Sequence, residues 1–301
     1  MVNKILLTGS NGFLGSSILN EFSDYSIKGL SRNRSYYNVD LSKNIPIFDE
    51  SFDLIIHCAG IAHLIPTNNQ QSNLFFDVNV VGSSNLLIGL GKTSLPKQFV
   101  YISSVSVYGL NEGVNINEES PLLANDPYGI SKIKAEEIVK KWCEEHNITC
   151  TILRLPLIVG TNPPGNLGSM IQGIKKGYYF NIAGGNAKKS MVLASEIAKF
   201  ILKAAEVGGT YNLTDGIHPS FNELSKSISR NLDKLFVPNM PLFIAKVLAK
   251  IGDVVGNAFP INSNKLSKIT STLTFDDSKA RIAFGWNPTP VLDSFKLHED
   301  A

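Results

Sequence analysis

The first half of the chain alternates short, almost wholly apolar runs with longer segments whose apolar positions recur at helical spacing. The apolar runs predict strands at Lys4–Thr8, Ser26–Leu30, Leu54–Cys58, Gln98–Ile102 and Thr149–Leu153, and the helical patterns fall at Phe13–Glu21, Leu74–Leu90 and Tyr128–His146. A strand apolar at nearly every position is buried on both faces, as parallel sheets covered by crossover helices require. The alternation therefore predicts βαβ units and an α/β fold of the Rossmann type, a doubly wound parallel sheet.

After Pro156 the texture changes. Thr161-Asn-Pro-Pro-Gly-Asn and Ala183-Gly-Gly-Asn are loops rich in turn formers, flanking a helical stretch at Leu167–Lys176. A helix at Ser195–Ala205 and a strand at Gly209–Leu213 read as a return to the sheet, and residues 218–300 read as helices and loops. The expected organisation is a sheet domain over residues 1–160 with a return segment near 191–214. Residues 161–190 and 215–301 form a smaller, mostly C-terminal lobe.

Composition narrows the classes. With 301 residues, 43% hydrophobic and 18% charged, the chain is an ordinary globular mixture and not a disordered one. Its 28 basic and 26 acidic residues leave a net charge of +2, which gives no argument for a nucleic-acid or membrane partner. Cys58, Cys143 and Cys150 stand in no CxxC spacing, which suits a reducing compartment better than a disulfide framework. No run of 18 uncharged apolar residues exists; the nearest, Pro241 to Pro260, is interrupted by Lys246, Lys250 and Asp253. The first residues lack the long apolar centre of a secretory signal, so a cytoplasmic protein is expected.

The strongest local signal is Thr8-Gly9-Ser10-Asn11-Gly12-Phe13-Leu14-Gly15, between the first strand and the first helix. Gly9 permits a tight turn, Gly12 lets a pyrophosphate approach the backbone, and Gly15 allows close helix–strand packing, while the helix start offers free N–H groups. Ser31-Arg32-Asn33-Arg34 follows the second strand, where an acidic residue would bind the ribose hydroxyl of NAD. Arg32, helped by Arg34, can instead meet the 2′-phosphate of NADP, or the segment is a solvated turn. Asp40-Leu41 suits an adenine, or Asp40 is an ordinary turn carboxylate.

Tyr128-Gly-Ile-Ser-Lys132 opens the third helix and places the phenol and ammonium on one face. A free phenol titrates near ~10, and a neighbouring cation favours its ionised form. Upstream, Tyr101-Ile-Ser-Ser-Val-Ser-Val-Tyr-Gly109 is a strand end spilling into a serine-rich loop. A hydroxyl there can bind a reacting oxygen at the carboxyl end of the sheet, or the stretch is merely a turn.

In this order and spacing, the three motifs resemble the extended branch of the short-chain dehydrogenase/reductase superfamily, the NAD-dependent epimerase/dehydratase family. Asp77-Val-Asn-Val-Val-Gly-Ser-Ser-Asn-Leu-Leu, Leu153-Arg154, Gly209-Thr-Tyr-Asn-Leu and Asp277-Ser-Lys-Ala-Arg-Ile-Ala-Phe-Gly-Trp286 are similar to its later landmarks. The resemblance implies Ser104, Tyr128 and Lys132 as the catalytic trio. It implies a cofactor site of Gly9, Asn11, Gly12, Phe13, Leu14, Gly15, Arg32, Asp40, Leu41, His57, Ala59, Gly60 and Asn79, with Tyr128 and Lys132. Substrate contacts would come from Ser104, Ser106, Asn166, Leu167 and Lys189. Lys189 stands where many relatives carry a pyrophosphate-gripping Arg, and Leu157 stands where hexose epimerases carry Asn. Val105-Ser106 replace the Asp-Glu pair of the 4,6-dehydratases, so dehydration would lack its second acid or base.

The implied enzyme moves a hydride at a sugar carbon, C4 by resemblance, of a UDP- or dTDP-sugar, as a homodimer without a metal. The missing acid after the second strand favours NADP and a 4-keto reductase of surface-polysaccharide synthesis. The alternatives are a 4-epimerase retaining NAD and, last, a nonenzymatic NADP-sensing regulator. Three other signals lead nowhere. Gly91-Lys92-Thr93 has Leu86 where a phosphate loop needs glycine, and His57, Cys58 and His63 have no zinc spacing. The apolar Leu242–Val255 reads as a lobe helix covering the substrate site rather than a membrane contact.

Overall fold

The computed structural model describes residues 2, 4–62, 64, 66–234, 236–256, 259 and 261–294; His63 lies outside them. Seven strands form one parallel sheet: β1 (Lys4–Thr8), β2 (Ser26–Ser31), β3 (Tyr37–Asn38), β4 (Leu54–His57), β5 (Gln98–Ser104), β7 (Thr149–Leu155) and β11 (Gly209–Asn212). Their order is β11-β7-β5-β4-β1-β2-β3, so the winding reverses between β1 and β4. Six short strands pair outside it in twos: β6 (Gly113–Ile116) with β13 (Leu273–Phe275), β8 (Leu157–Val159) with β10 (Met191–Leu193), and β9 (Asn181–Ile182) with β12 (Asn239–Met240).

Period-two alternation sends the strand side chains to two cores. Ile5, Leu7, Ile56, Val100 and Leu153 point to the face covered by α1 (Phe13–Glu21) and α6 (Ala194–Val207). Leu6, Ile55, Phe99, Tyr101 and Ile152 point to the opposite face, under α3 (Gly82–Leu90) and α4 (Pro127–Glu145). The expected Leu74–Leu90 helix is three pieces: α2 (Asn69–Phe76), a π turn (Asp77–Val81) and α3. It starts five residues early because the Asn68 side chain caps it, accepting from the Gln71 N–H at 2.9 Å.

Outside the central sheet lie α5 (Gly165–Lys176), α7 (Phe221–Asn231), α8 (Leu242–Val255) and α9 (Ser263–Thr270). The chain then returns to the sheet through α10 (Ser278–Phe284), whose Phe284 meets Tyr211, and ends in α11 (Val291–Ser294). α8 has the bounds its sequence pattern gives. It packs through Ala245 and Ala249 while most of its large residues face outward.

A buried ion pair fastens α4 to the sheet. Arg154 of β7 donates to both oxygens of Glu136, from Nε at 3.0 Å and from Nη2 at 2.8 Å. Ser103 of β5 adds a 2.6 Å bond to the same carboxylate, and Arg154 also donates to the Tyr108 hydroxyl, which bonds Asn212 of β11. Losing one partner of such a pair strands a buried charge, so Arg154→Met is expected to cost about 3–5 kcal/mol of unfolding free energy. Denaturant titration checks this, and a loss below about 1 kcal/mol, the scale of an exposed pair, would assign the network a minor role.

Candidate active site

The carboxyl ends of β1, β4 and β5 and the start of α4 converge where the sheet order reverses. After β1 the chain turns at Gly9, whose φ is +67° and whose missing Cβ would lie 2.8 Å from the Ala59 nitrogen. A Cβ on Gly15 would lie 2.2 Å from the Gly9 carbonyl oxygen, so α1 can rest on this turn only with glycine there. Gly12 is the exposed N-cap of α1, and no side chain caps its first N–H groups. That leaves unpaired N–H groups at an exposed helix start, where a negative charge would be favoured. Phe13 and Leu14 offer backbone there, but the Leu14 side chain belongs to the core.

Asn11 ties the glycine loop to the end of β2, donating from Nδ2 to the carbonyls of Asn33 at 2.6 Å and Arg34 at 3.2 Å. Arg32 is exposed on this loop and makes no ion pair among the described residues. Asp40 accepts from the Ser42 N–H and hydroxyl in a local turn, and Leu41 is buried. Of the two readings of Asp40, this geometry is that of the turn carboxylate.

His57 does not line an open surface. Thr8 Oγ1 bonds its Nδ1 at 2.6 Å, its Nε2 bonds Ser83 Oγ at 2.9 Å, and Ser83 in turn donates to the Asn79 carbonyl at 2.6 Å. Burial, then the charge of Lys132, pushes its pKa down to about 3. A neutral ring spent on both nitrogens joins β1, β4 and α3; the expected cofactor contact is corrected to a tie. Ala59 and Gly60 follow it, the first partly buried and the second exposed. Asn79, set by the π turn, accepts from the Ile61 N–H at 2.9 Å and donates to Ser131 at 2.9 Å, holding the loop after β4 against α4.

α4 begins with Asp126 capping the N–H groups of Tyr128 and Gly129, and Pro127 fixes its first turn. Tyr128 faces Phe75 at 5.7 Å between ring centres and lies in hydrogen-bond reach of Ser104. Burial raises the phenol's pKa and the Ser104 bond draws it down. Ser104 and Ser106 hydroxyls are 3.2 Å apart. Lys132 Nζ bonds the Ile102 carbonyl at 2.8 Å and the Tyr101 hydroxyl at 3.1 Å, not Tyr128. The expected direct tuning of the phenol by the ammonium is therefore not the arrangement found. Burial lowers the Lys132 pKa to about 8 against the upward pull of Glu136 and Cys58.

Asn166 is exposed in the first turn of α5, whereas Leu167 is packed with Val159, Met170 and Met191 and has no face for a substrate. Leu157 lies partly buried beside them. Lys189 is half-buried with no carboxylate bonded to it among the described residues; burial, then repulsion from Lys268 of α9, brings its pKa down to about 8. Two cations held together without an acid suit a doubly charged anion. A separate cavity of about 890 Å³ holds Asp215, Asp277 and Arg281, but Arg281 is spent on Asp277 and Asp215 caps backbone N–H groups. Sequence reasoning missed Tyr101, Ser131 and Glu136. Only the position of Glu136 one turn after Lys132 pointed to it.

Residues 5–214 match the model of the NAD dependent epimerase/dehydratase family. The chain is similar to an Escherichia coli O157:H7 protein named N-acetyl-alpha-D-glucosaminyl-diphospho-ditrans,octacis-undecaprenol 4-epimerase, 28% identical over 93% of this chain and 89% of the relative. It is also similar to the UDP-glucose 4-epimerase of Vibrio cholerae, 24% identical over 98% and 94%. The fold superposes on a Thermotoga maritima UDP-glucose 4-epimerase with UDP-glucose, at TM-score 0.75 and 20% identity over 98% of this chain and 96% of that one. It superposes likewise on RMD from Pseudomonas aeruginosa complexed with NADPH, at TM-score 0.74 and 19% identity over 97% and 96%. At these identities the structural likeness speaks for the fold.

Lys189 gives a pH dependence of definite sign. Its charge is present below about pH 8 and lost above it, so inorganic pyrophosphate should bind more weakly as pH rises through that value. Calorimetric titration across the range checks this, and Lys189→Met should remove the dependence along with most of the affinity. Binding that is flat with pH in the parent protein would take Lys189 out of the anion site.

Proposed function

The chain belongs to the NAD dependent epimerase/dehydratase family, and from that premise we propose that it inverts C4 of a hexose carried on a diphosphate. As a member of that family it is an NAD(P)-dependent enzyme of nucleotide-sugar chemistry. The observation that carries the finer reading is that the Tyr128 phenol lies beside Ser104, with Lys132 one turn further along α4, while Val105-Ser106 and not an acidic pair follow Ser104. Such a site can exchange one proton at one oxygen. Similarity to two 4-epimerases along nearly the whole chain supports the same reading.

The uncapped start of α1, the bare Gly12 backbone and the unpaired Arg32 fit a dinucleotide phosphate. A bound nicotinamide supplies the acceptor and donor of hydride. The chain supplies the proton handling: Tyr128 takes the proton from the C4 hydroxyl as the carbonyl forms and returns it once the other face has been presented. Ser104 holds that oxygen, and Lys132 fixes the end of β5 beneath it. Lys189 grips the diphosphate, the part that a nucleoside and a polyprenol carrier have in common.

A second reading, reduction of a 4-keto sugar with exchangeable NADPH, is favoured by Arg32 and by Leu157. The two separate cleanly. An epimerase interconverts UDP-N-acetylglucosamine or its polyprenol diphosphate counterpart with the 4-epimer without added cofactor, and in D2O it leaves C4 free of deuterium. A reductase consumes one NADPH per sugar. If the purified protein did neither with any UDP- or dTDP-sugar, the whole reading would fall.

Tyr128→Phe should lower turnover by about 10²–10⁴-fold, the usual contribution of an acid–base group, with an unchanged Tm. Retention of half the parental rate would remove its role. Arg32 should favour NADPH over NADH by about tenfold or more, from one charge-assisted bond to the 2′-phosphate. Arg32→Asp should reverse that ratio; an unchanged ratio of dissociation constants would make Arg32 an ordinary surface residue.

A further inference from the structure

Helix α8 is seated through its smallest residues. Ala245 and Ala249 pack on Met240, Ile261 and Leu266, and a Cβ on Gly252 would lie 1.8 Å from the Ile261 carbonyl oxygen. The bulky residues are thereby turned outward. Phe243 is 69% exposed, Val247 57% and Val254 88%, with Ile244, Ile251 and Val255 beside them. At 3.6 residues per turn these six share an arc of about 120° on the helix.

Charge follows one edge of that arc. Lys246 and Lys250 run along it, both exposed and neither in an ion pair among the described residues. Asp253, the helix's one acid, is bonded by the Ser263 N–H and hydroxyl. Residues 232–271 carry five lysines and two aspartates, in a chain whose whole net charge is +2. Other exposed aromatics lie in the chain before α8: Phe236 is 74% exposed, and the Asn181 N–H to Pro238 carbonyl bond ties the segment of Tyr178 and Phe180 to that of Phe236.

We propose that α8 docks on an anionic lipid bilayer, the helix lying in the plane of the headgroups. Its apolar arc enters the acyl boundary while the lysine stems run outward to the lipid phosphates. Fourteen residues are too few to span a bilayer, and no described helix does. α9 packs on α8 and carries Lys268, the neighbour of Lys189. Docking thus sets the diphosphate cations one helix away from the headgroups. The inference goes beyond the proposed reaction and stands on α8 alone.

Flotation of the intact protein with vesicles tests it without any turnover. The protein should rise with phosphatidylcholine vesicles containing phosphatidylglycerol, much less with phosphatidylcholine alone, and be released by high salt. Lys246→Glu with Lys250→Glu should lower the partition coefficient about tenfold or more. Val247→Asp with Val254→Asp should abolish flotation, with Tm and pyrophosphate binding unchanged in both double variants. Failure of the parent protein to float, or flotation indifferent to lipid charge, salt and both variants, overturns the proposal. So does a dimer in light scattering that the aspartate variant splits while no lipid is bound, since the face would then belong to a second copy.

Discussion

The two-pronged bond between Arg154 and Glu136 is the constraint on which the reacting groups depend. Glu136 lies one helical turn after Lys132 and two after Tyr128, so fixing it sets the rotation of α4 about its own axis. Arg154 belongs to β7 and Ser103 to β5, so helix and sheet cannot slide without breaking charge-assisted bonds in a dry interior. Asn79 acts in the same way from the other side, through Ser131. The phenol and the Ser104 hydroxyl meet because three elements are locked behind them.

Much of this frame was legible in the sequence because it rests on periodicity. Strands buried on both faces are apolar at consecutive positions, and β1 appears with the bounds its pattern gives. The paired short strands were not legible, since two or three residues carry no period and their pairing depends on distant chain. The glycine loop could be read because two of its glycines answer a backbone requirement that no other residue meets. His57 was misread because its surroundings decide its role: a histidine beside a glycine loop can face a ligand or, as here, spend both nitrogens on Thr8 and Ser83. Lys132 shows the same limit. Spacing places it on the face of Tyr128, yet it donates its hydrogen bond to the carbonyl of Ile102.

The distribution of cations has a logic across the molecule. Lys132 and Arg154 are buried and bonded, while Arg32 and Lys189 make no ion pair among the described residues. An interior cation fastened to protein is part of the scaffold. One left without a counter-ion keeps a standing repulsion, such as that between Lys189 and Lys268, which a bound phosphate relieves.

The π turn at Asp77–Val81 has a further consequence. A wide turn inserted between two helical stretches resets their phase, so α2 and α3 need not present the same faces. α2 turns Phe75 toward the tyrosine, while α3 sends Leu86, Leu87 and Leu90 into the sheet core. Each stretch answers to its own surroundings. The residues of α2 can therefore diverge with whatever they adjoin, while those of α3 stay in step with the strands beneath them.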